Sequence, residues 1–149
     1  MKPDWTELTT RSQLDTVEVI RQLVEEEEYE EALQGLDELY NTMSRSEQHA
    51  VESQLIRLMA HIIKWKYQPE KRSISWVRTI ANARQEIRKA RKYMPSLNDN
   101  FIRSIWEGAF EDGGQLAKIE KGLGRKDKFD PAPLTWEAVF EDDYLLPRD

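Results

Sequence analysis

The sequence predicts an all-α protein, a five-helix bundle closed by a short docked helical tail at the C-terminus. Three observations carry this expectation. Apolar residues recur at helical spacing along almost the whole chain, and no segment sustains strand alternation. Prolines and N-cap residues punctuate those periodic segments. Hydrophobic residues make up 39% and charged residues 34% of the chain, the balance of helices with one buried and one solvated side. At 149 residues the chain suits one helical domain, residues 1–149, long enough to bury a core.

A first helix is expected from about Trp5 to Val24, with Leu14, Val17, Ile20 and Val24 along one side. The acidic run EEEEYEE, residues 25–31, should contain a break near Glu27. Carboxylates are unfavourable at a helix C-terminus and favourable in a first turn. The later glutamates therefore open a second helix, with Ala32, Leu36, Leu39 and Tyr40 facing inward. Ser44 followed by Glu47 has capping-box spacing and predicts a third helix. Its inner face is Val51, Leu55, Leu58, Met59 and Ile62, running into Trp65.

Pro69 stops that helix, because the residue before a proline is pushed out of the helical region. A fourth helix starts near Ser73 and ends at Pro95, with Trp76, Val77, Ile80, Ala83 and Ile87 inside. Ser96 with Asp99 predicts the start of a fifth, which carries Phe101, Ile105, Ala109, Leu116 and Ile119 on one face. Gly113 and Gly114 should weaken it by about 1 kcal/mol each relative to alanine. GLGRKDKFDPAP, residues 122–133, reads as a loop, and Thr135 caps a closing segment that docks Trp136, Phe140 and Leu145.

Composition narrows the chemistry. The chain has no cysteine, so disulfides, thiolate metal sites and thiol nucleophiles are all excluded. No run approaches the roughly 18 apolar residues of a membrane span, so no membrane partner is expected. MKPDWTELTT lacks a basic head followed by an apolar stretch, which makes a cytoplasmic location the default. The net charge of −6 conceals a pattern. Residues 1–60 carry 5 basic and 14 acidic side chains, residues 61–95 carry 10 and 2, and residues 96–149 carry 7 and 12. A basic segment thus lies between acidic ones, either for charge complementarity within the bundle or as a face for an external polyanion.

Catalytic motifs are absent. There is no G-x-S-x-G, no H-E-x-x-H and no phosphate-binding glycine loop. His49 and His61 lie twelve residues apart on one predicted helix. That is about 18 Å along the axis and about 120° around it, too far to share a metal. No metal or cofactor is expected, and no catalytic residue is assigned.

Polar residues on apolar faces are more informative. With Ile80 at zero on a helical wheel, Arg84 falls at about +40° and Arg91 at about +20°, inside the core stripe. Asp112 falls at about −20° from Ile105 on the fifth helix. Buried charges are normally paired, so Arg84 or Arg91 is expected to meet Asp112. The outer side of the fourth helix carries Arg78, Arg88, Lys89 and Lys92, a candidate nucleic-acid face in which cations would neutralise phosphates.

The run HIIKWKYQPEKRSISWVRTIANARQEI, residues 61–87, resembles the signature of the bacterial domain-of-unknown-function family 29, a family frequent in cyanobacteria. The matching positions are His61, Lys64, Trp65, Gln68, Pro69, Arg72, Ser73, Ser75, Trp76, Thr79, Ile80 and Arg84. The resemblance extends over nearly the whole chain, implies a compact all-α fold, and implies no activity. Pro69, Ser73 and the tryptophans are accounted for as a corner between helices. His61, Gln68, Arg72, Ser75, Arg84 and Asp112 remain as candidate ligand or polar-pocket residues.

The leading functional expectation is a non-enzymatic protein-interaction or regulatory module whose partner is another protein, with a homodimer among the options. A nucleic-acid-associated protein using residues 73–94 ranks second. An enzyme with a polar pocket around His61, Arg72 and Arg84 ranks third.

Overall fold

The computed structural model describes residues 2–148. Six α-helices follow one another: α1 (Trp5–Arg11), α2 (Gln13–Glu25), α3 (Tyr29–Tyr67), α4 (Ile74–Tyr93), α5 (Asp99–Glu120) and α6 (Trp136–Phe140). A single 3-10 turn over Pro69–Lys71 makes the corner between α3 and α4. Among the described residues there is no strand, so the all-α class holds. The chain divides into two compact units, Met1–His49 and Ala50–Asp149, and α3 contributes to both.

Two boundaries within α1–α3 differ from the sequence expectation. The first helix is split at Ser12, which lies in extended backbone. Its N–H closes α1 on the Leu8 carbonyl, while its hydroxyl accepts from Asp15 N–H to open α2. Conversely, no helix begins at Ser44. Ser44 and Glu47 lie inside the 39-residue α3. Between Gly35 and Pro69 the sequence contains no glycine or proline, so nothing disrupts helix propagation and the box spacing alone does not create a terminus.

The expected break near Glu27 is present, and its chemistry is visible. Glu27 adopts φ 61°, Glu27 N–H bonds the Val24 carbonyl at 3.1 Å, and Glu28 N–H bonds the Leu23 carbonyl at 2.8 Å. This is the left-handed helix stop usually supplied by glycine. At the other corners, Ser73 and Thr135 cap α4 and α6 as expected, accepting from Trp76 N–H and Ala138 N–H. The cap of α5 is Asn98 rather than Ser96, through a 3.0 Å bond from Phe101 N–H to Asn98 Oδ1.

In the first unit, α2 and the start of α3 form a helical hairpin on which α1 rests. Its core is Trp5, Leu8, Ile20, Leu23, Ala32 and Leu39. Gly35 is required there: a Cβ at this position would lie 2.5 Å from Trp5 Cη2 and 2.8 Å from Ile20 Cγ1. Leu14, Val17, Val24, Leu36 and Tyr40 do not join that core. All five are exposed, which corrects the inward placement expected for Leu36 and Tyr40.

In the second unit, α3 is the central element. The expected inner face of Val51, Leu55, Leu58, Met59 and Ile62 is buried to 1% exposure or less. Each such side chain contributes about 1.5–3 kcal/mol relative to leaving it in water. Ile80, Ala83 and Ile87 from α4, and Ile102, Ala109 and Ala117 from α5, complete the cluster with Leu134, Val139 and Tyr144. Trp136 and Phe140 pack against it as expected, whereas Ile119 and Leu145 are exposed.

Gly113, expected to weaken α5, instead lets it approach α3 closely. A Cβ at Gly113 would meet the Ile56 carbonyl oxygen at 3.1 Å and both Ala60 N and Met59 Cβ at 3.2 Å. The seam of α5 is therefore the small-residue row Ala109, Gly113 and Ala117, all buried.

Candidate functional site

At the family-like corner the Lys64 and Arg72 side chains are held in structural contacts. The Lys64 side chain is 7% exposed, ion-pairs with Glu120, and sits 5.0 Å from the Trp76 ring centroid. Arg72 donates to the Trp65 carbonyl at 2.8 Å and lies 4.7 Å over the Trp65 ring. Gln68 is buried and ends α3, its N–H bonding the Lys64 carbonyl and its carbonyl accepting from Lys71 N–H. Ser75 lies exposed on the first turn of α4.

His61 Nδ1 lies 2.9 Å from the Arg57 carbonyl oxygen. A carbonyl only accepts, so Nδ1 carries the proton and Nε2 keeps the lone pair. Burial is the main cause that lowers the His61 pKa from its ordinary 6.5, with the charges of Lys64 and Arg57 acting the same way. The Arg57 bond and Glu120 oppose the shift. The unfolded chain therefore takes up this proton before the folded one does. Stability is fully present above the unfolded value near 6.5 and declines as the pH falls from there through the folded pKa. Urea unfolding at about pH 7.5 and about pH 5 should show His61→Gln losing less stability on acidification than the wild type.

The two interior arginines lie where the helical wheel puts them, but Asp112 is not their partner. Arg84 Nε donates to the Val139 carbonyl at 2.8 Å and Nη2 to the Ala138 carbonyl at 3.3 Å. Its guanidinium also faces the Tyr144 ring at 5.4 Å, and Tyr144 Oη donates to Ala138 O at 2.6 Å. Arg84 thus caps the end of α6, where orphaned carbonyls attract cations. Burial lowers its pKa, and burial likewise raises that of Tyr144. Arg91 donates to the Leu97 carbonyl at 2.7 Å and pairs with Asp99.

Asp112 is exposed and makes no ion pair among the described residues, so the expected bridge is corrected. The buried side of α5 is centred on Ile102, Ala109, Gly113 and Ala117, about 95° from Asp112 on the wheel. The pocket expected around His61, Gln68, Arg72, Ser75, Arg84 and Asp112 is replaced by separate local arrangements.

Two grooves line the basic helix. One, about 420 Å³, is walled by Arg84, Ile87, Arg88 and Arg91 from α4 with Trp136 and Phe140 from α6. It brings together one residue from each of the two candidate sets, Arg84 and Arg88. The other, about 450 Å³ and shallow, lies over Ala81, Gln85, Arg88, Lys89 and Lys92. Lys89 reaches Glu86 at 3.9 Å, and Arg78 is exposed nearby on the same helix.

The feature that sequence reasoning missed is in the first unit. On α3, Tyr29, Leu33, Leu36, Tyr40 and Met43 are 47–65% exposed and repeat at alternating four- and three-residue steps. On α2, Leu14, Val17 and Val24 are 46–80% exposed. With Gly35 at zero, buried Ala32 and Leu39 fall at about +60° and +40°, and the exposed α3 stripe between about +80° and +160°. With Ile20 at zero, buried Leu23 and Thr16 fall at about −60° and −40°, and the exposed α2 stripe between about +40° and +120°. Both stripes are displaced in the same rotational sense from their buried sides. Because the two helices of a hairpin are antiparallel, equal senses bring the stripes to one side of it. The signal was present as apolar periodicity, but periodicity does not say which of two stripes is covered.

Among the described residues, no helix is long and apolar enough to cross a membrane. A family model described as "Domain of unknown function DUF29" matches residues 13–145. No curated protein and no solved structure is matched significantly.

Proposed function

The chain belongs to the DUF29 family, whose description carries no activity, and from that premise we propose that it is a protein-interaction module whose docking face is the open apolar side of the α2–α3 hairpin. The observation that carries this reading is the exposure of two apolar stripes on one side of that hairpin. Eight side chains, each with roughly 200 Å² when free, leave on the order of 900 Å² uncovered, against about 800 Å² per partner in a standard interface. Exposed apolar surface of this size, broken on α2 only by Arg21 between Val17 and Val24, marks an interaction site. The polar corner supports the same reading from the other direction, because Lys64 and Arg72 are engaged by a carbonyl, rings and one carboxylate within the fold.

The test is affinity recovery from the native lysate with the wild type and with Leu33→Glu/Tyr40→Glu. Both side chains are exposed, so the double variant keeps its fold. A protein recovered with the wild type and lost with the variant supports the reading. Identical recovery with both overturns it.

A second reading rests on the arginine groove. Arg84 and Arg88 form no ion pair among the described residues, and with Arg91 they line one wall. This favours a small phosphate-bearing anion as ligand. Arg88→Glu should abolish binding of pyrophosphate measured by calorimetry, and a wild type that binds none removes the reading.

A further inference from the structure

The rim of the docking face identifies the chemistry of what covers it. Beyond the α2 stripe, at about +140° and +160° on the wheel, stand Glu25 and Glu18; beyond the α3 stripe, at about +200° and +220°, stand Asp37 and Glu30. All four are exposed. The other edge of each stripe is the buried interior of the hairpin. The apolar face is therefore bordered by carboxylates on both open sides. The first unit as a whole carries 4 basic against 13 acidic side chains.

We propose that the occupant is a basic amphipathic helix, with an apolar stripe at heptad spacing flanked on both sides by lysine or arginine. This rests on the reading of the α2–α3 face as the docking surface and specifies its partner. The four-three spacing on α3 is the pattern by which one helix receives another, each apolar side chain entering a hole formed by four residues of its neighbour. The stripe from Tyr29 to Met43 is about 21 Å long, which matches about four turns of a partner helix. A helix lying between the two stripes brings each of its flanks against a carboxylate row. Lysines or arginines there gain attraction and on-rate, while acidic flanks are rejected.

A second copy of this chain does not fit that description. Two such faces brought together would oppose four rim carboxylates per copy with a single cation per copy between them, Arg21, which already lies 3.7 Å from Glu25 of its own helix. The basic helix α4 of another copy does not fit either. Its apolar positions Ile80, Ala83 and Ile87 are already buried, so it offers cations without a free apolar stripe.

The experiment uses the full chain and two labelled helical peptides that share leucines at the heptad core positions. One is flanked by lysine and the other by glutamate, and binding is read by fluorescence anisotropy. The lysine-flanked peptide should bind at least about tenfold more tightly, with an affinity that falls as salt rises. Glu18→Lys/Glu30→Lys/Asp37→Lys should reverse the preference, and Leu33→Glu/Tyr40→Glu should abolish binding of both. Equal binding of the two peptides overturns the proposed charge selection while leaving the docking face in place. No binding of either peptide overturns the proposed occupant. If Leu33→Glu/Tyr40→Glu also leaves lysate recovery unchanged, the docking face falls with it. A wild-type dimer in sedimentation equilibrium that Leu33→Glu/Tyr40→Glu dissociates assigns the face to a second copy and overturns the proposal.

Discussion

Gly113→Leu is expected to destabilise the second unit by about 3–5 kcal/mol, whereas Gly114→Ala, one residue on, stabilises it by up to about 1 kcal/mol. The contrast comes from what each Cβ would meet. At Gly113 it meets helix backbone, the Ile56 carbonyl oxygen at 3.1 Å and Ala60 N at 3.2 Å, so α3 and α5 must separate along their seam. Separation also opens the contacts of Ala109 and Ala117 on either side. At Gly114 the nearest atom is Pro131 Cγ at 3.8 Å, ordinary van der Waals contact. There the change only removes the backbone entropy that glycine loses in a helix. Denaturant unfolding of the two variants checks both signs. If Gly113→Leu is tolerated as well as Gly114→Ala, the close seam is not real.

The second large effect concerns the buried lysine. Glu120→Gln leaves the Lys64 ammonium with a 7% exposed side chain and only the Trp76 ring face as a neighbour of suitable charge. Breaking a buried pair costs about 3–5 kcal/mol. The Glu120 side chain is 39% exposed, so water screens part of the loss and about 2–3 kcal/mol is expected. Lys64→Met removes the charge at nearly constant length and should stay within about 1 kcal/mol of wild type. Lys64→Met/Glu120→Gln should match Lys64→Met rather than the sum of the two changes. Additive costs would show that the pair is not coupled.

Much of the fold was legible because its signals are local. Pro69, Ser73 and Thr135 act on their own turn of backbone, and each ends or caps a helix where expected. Ser12 and Ser44 show the limit of that logic. Both precede an acidic residue by three positions, yet only Ser12 caps a helix. The same side chains fit a helix interior when nothing nearby breaks it.

The candidate site was legible in part. Helical-wheel angles point Arg84 and Arg91 to the interior side but do not give their partners, which are distant carbonyls of α6 for Arg84 and, for Arg91, a carbonyl and a carboxylate just beyond the end of its own helix. Asp112 stands off the buried side because the seam of α5 runs along its small residues rather than along the bulky ones that dominate its apolar periodicity. Leu36 and Tyr40 face solvent although their spacing points them inward, because an apolar stripe awaiting a partner looks the same in sequence as one already covered.

Hydrogen–deuterium exchange of the full chain, with and without the protein recovered from lysate, tests the docking face most directly. The account predicts new protection in residues 14–24 and 29–43, with α4 unchanged. Protection confined to residues 61–76 or to α4 would contradict it and move the function to the corner or to the basic helix.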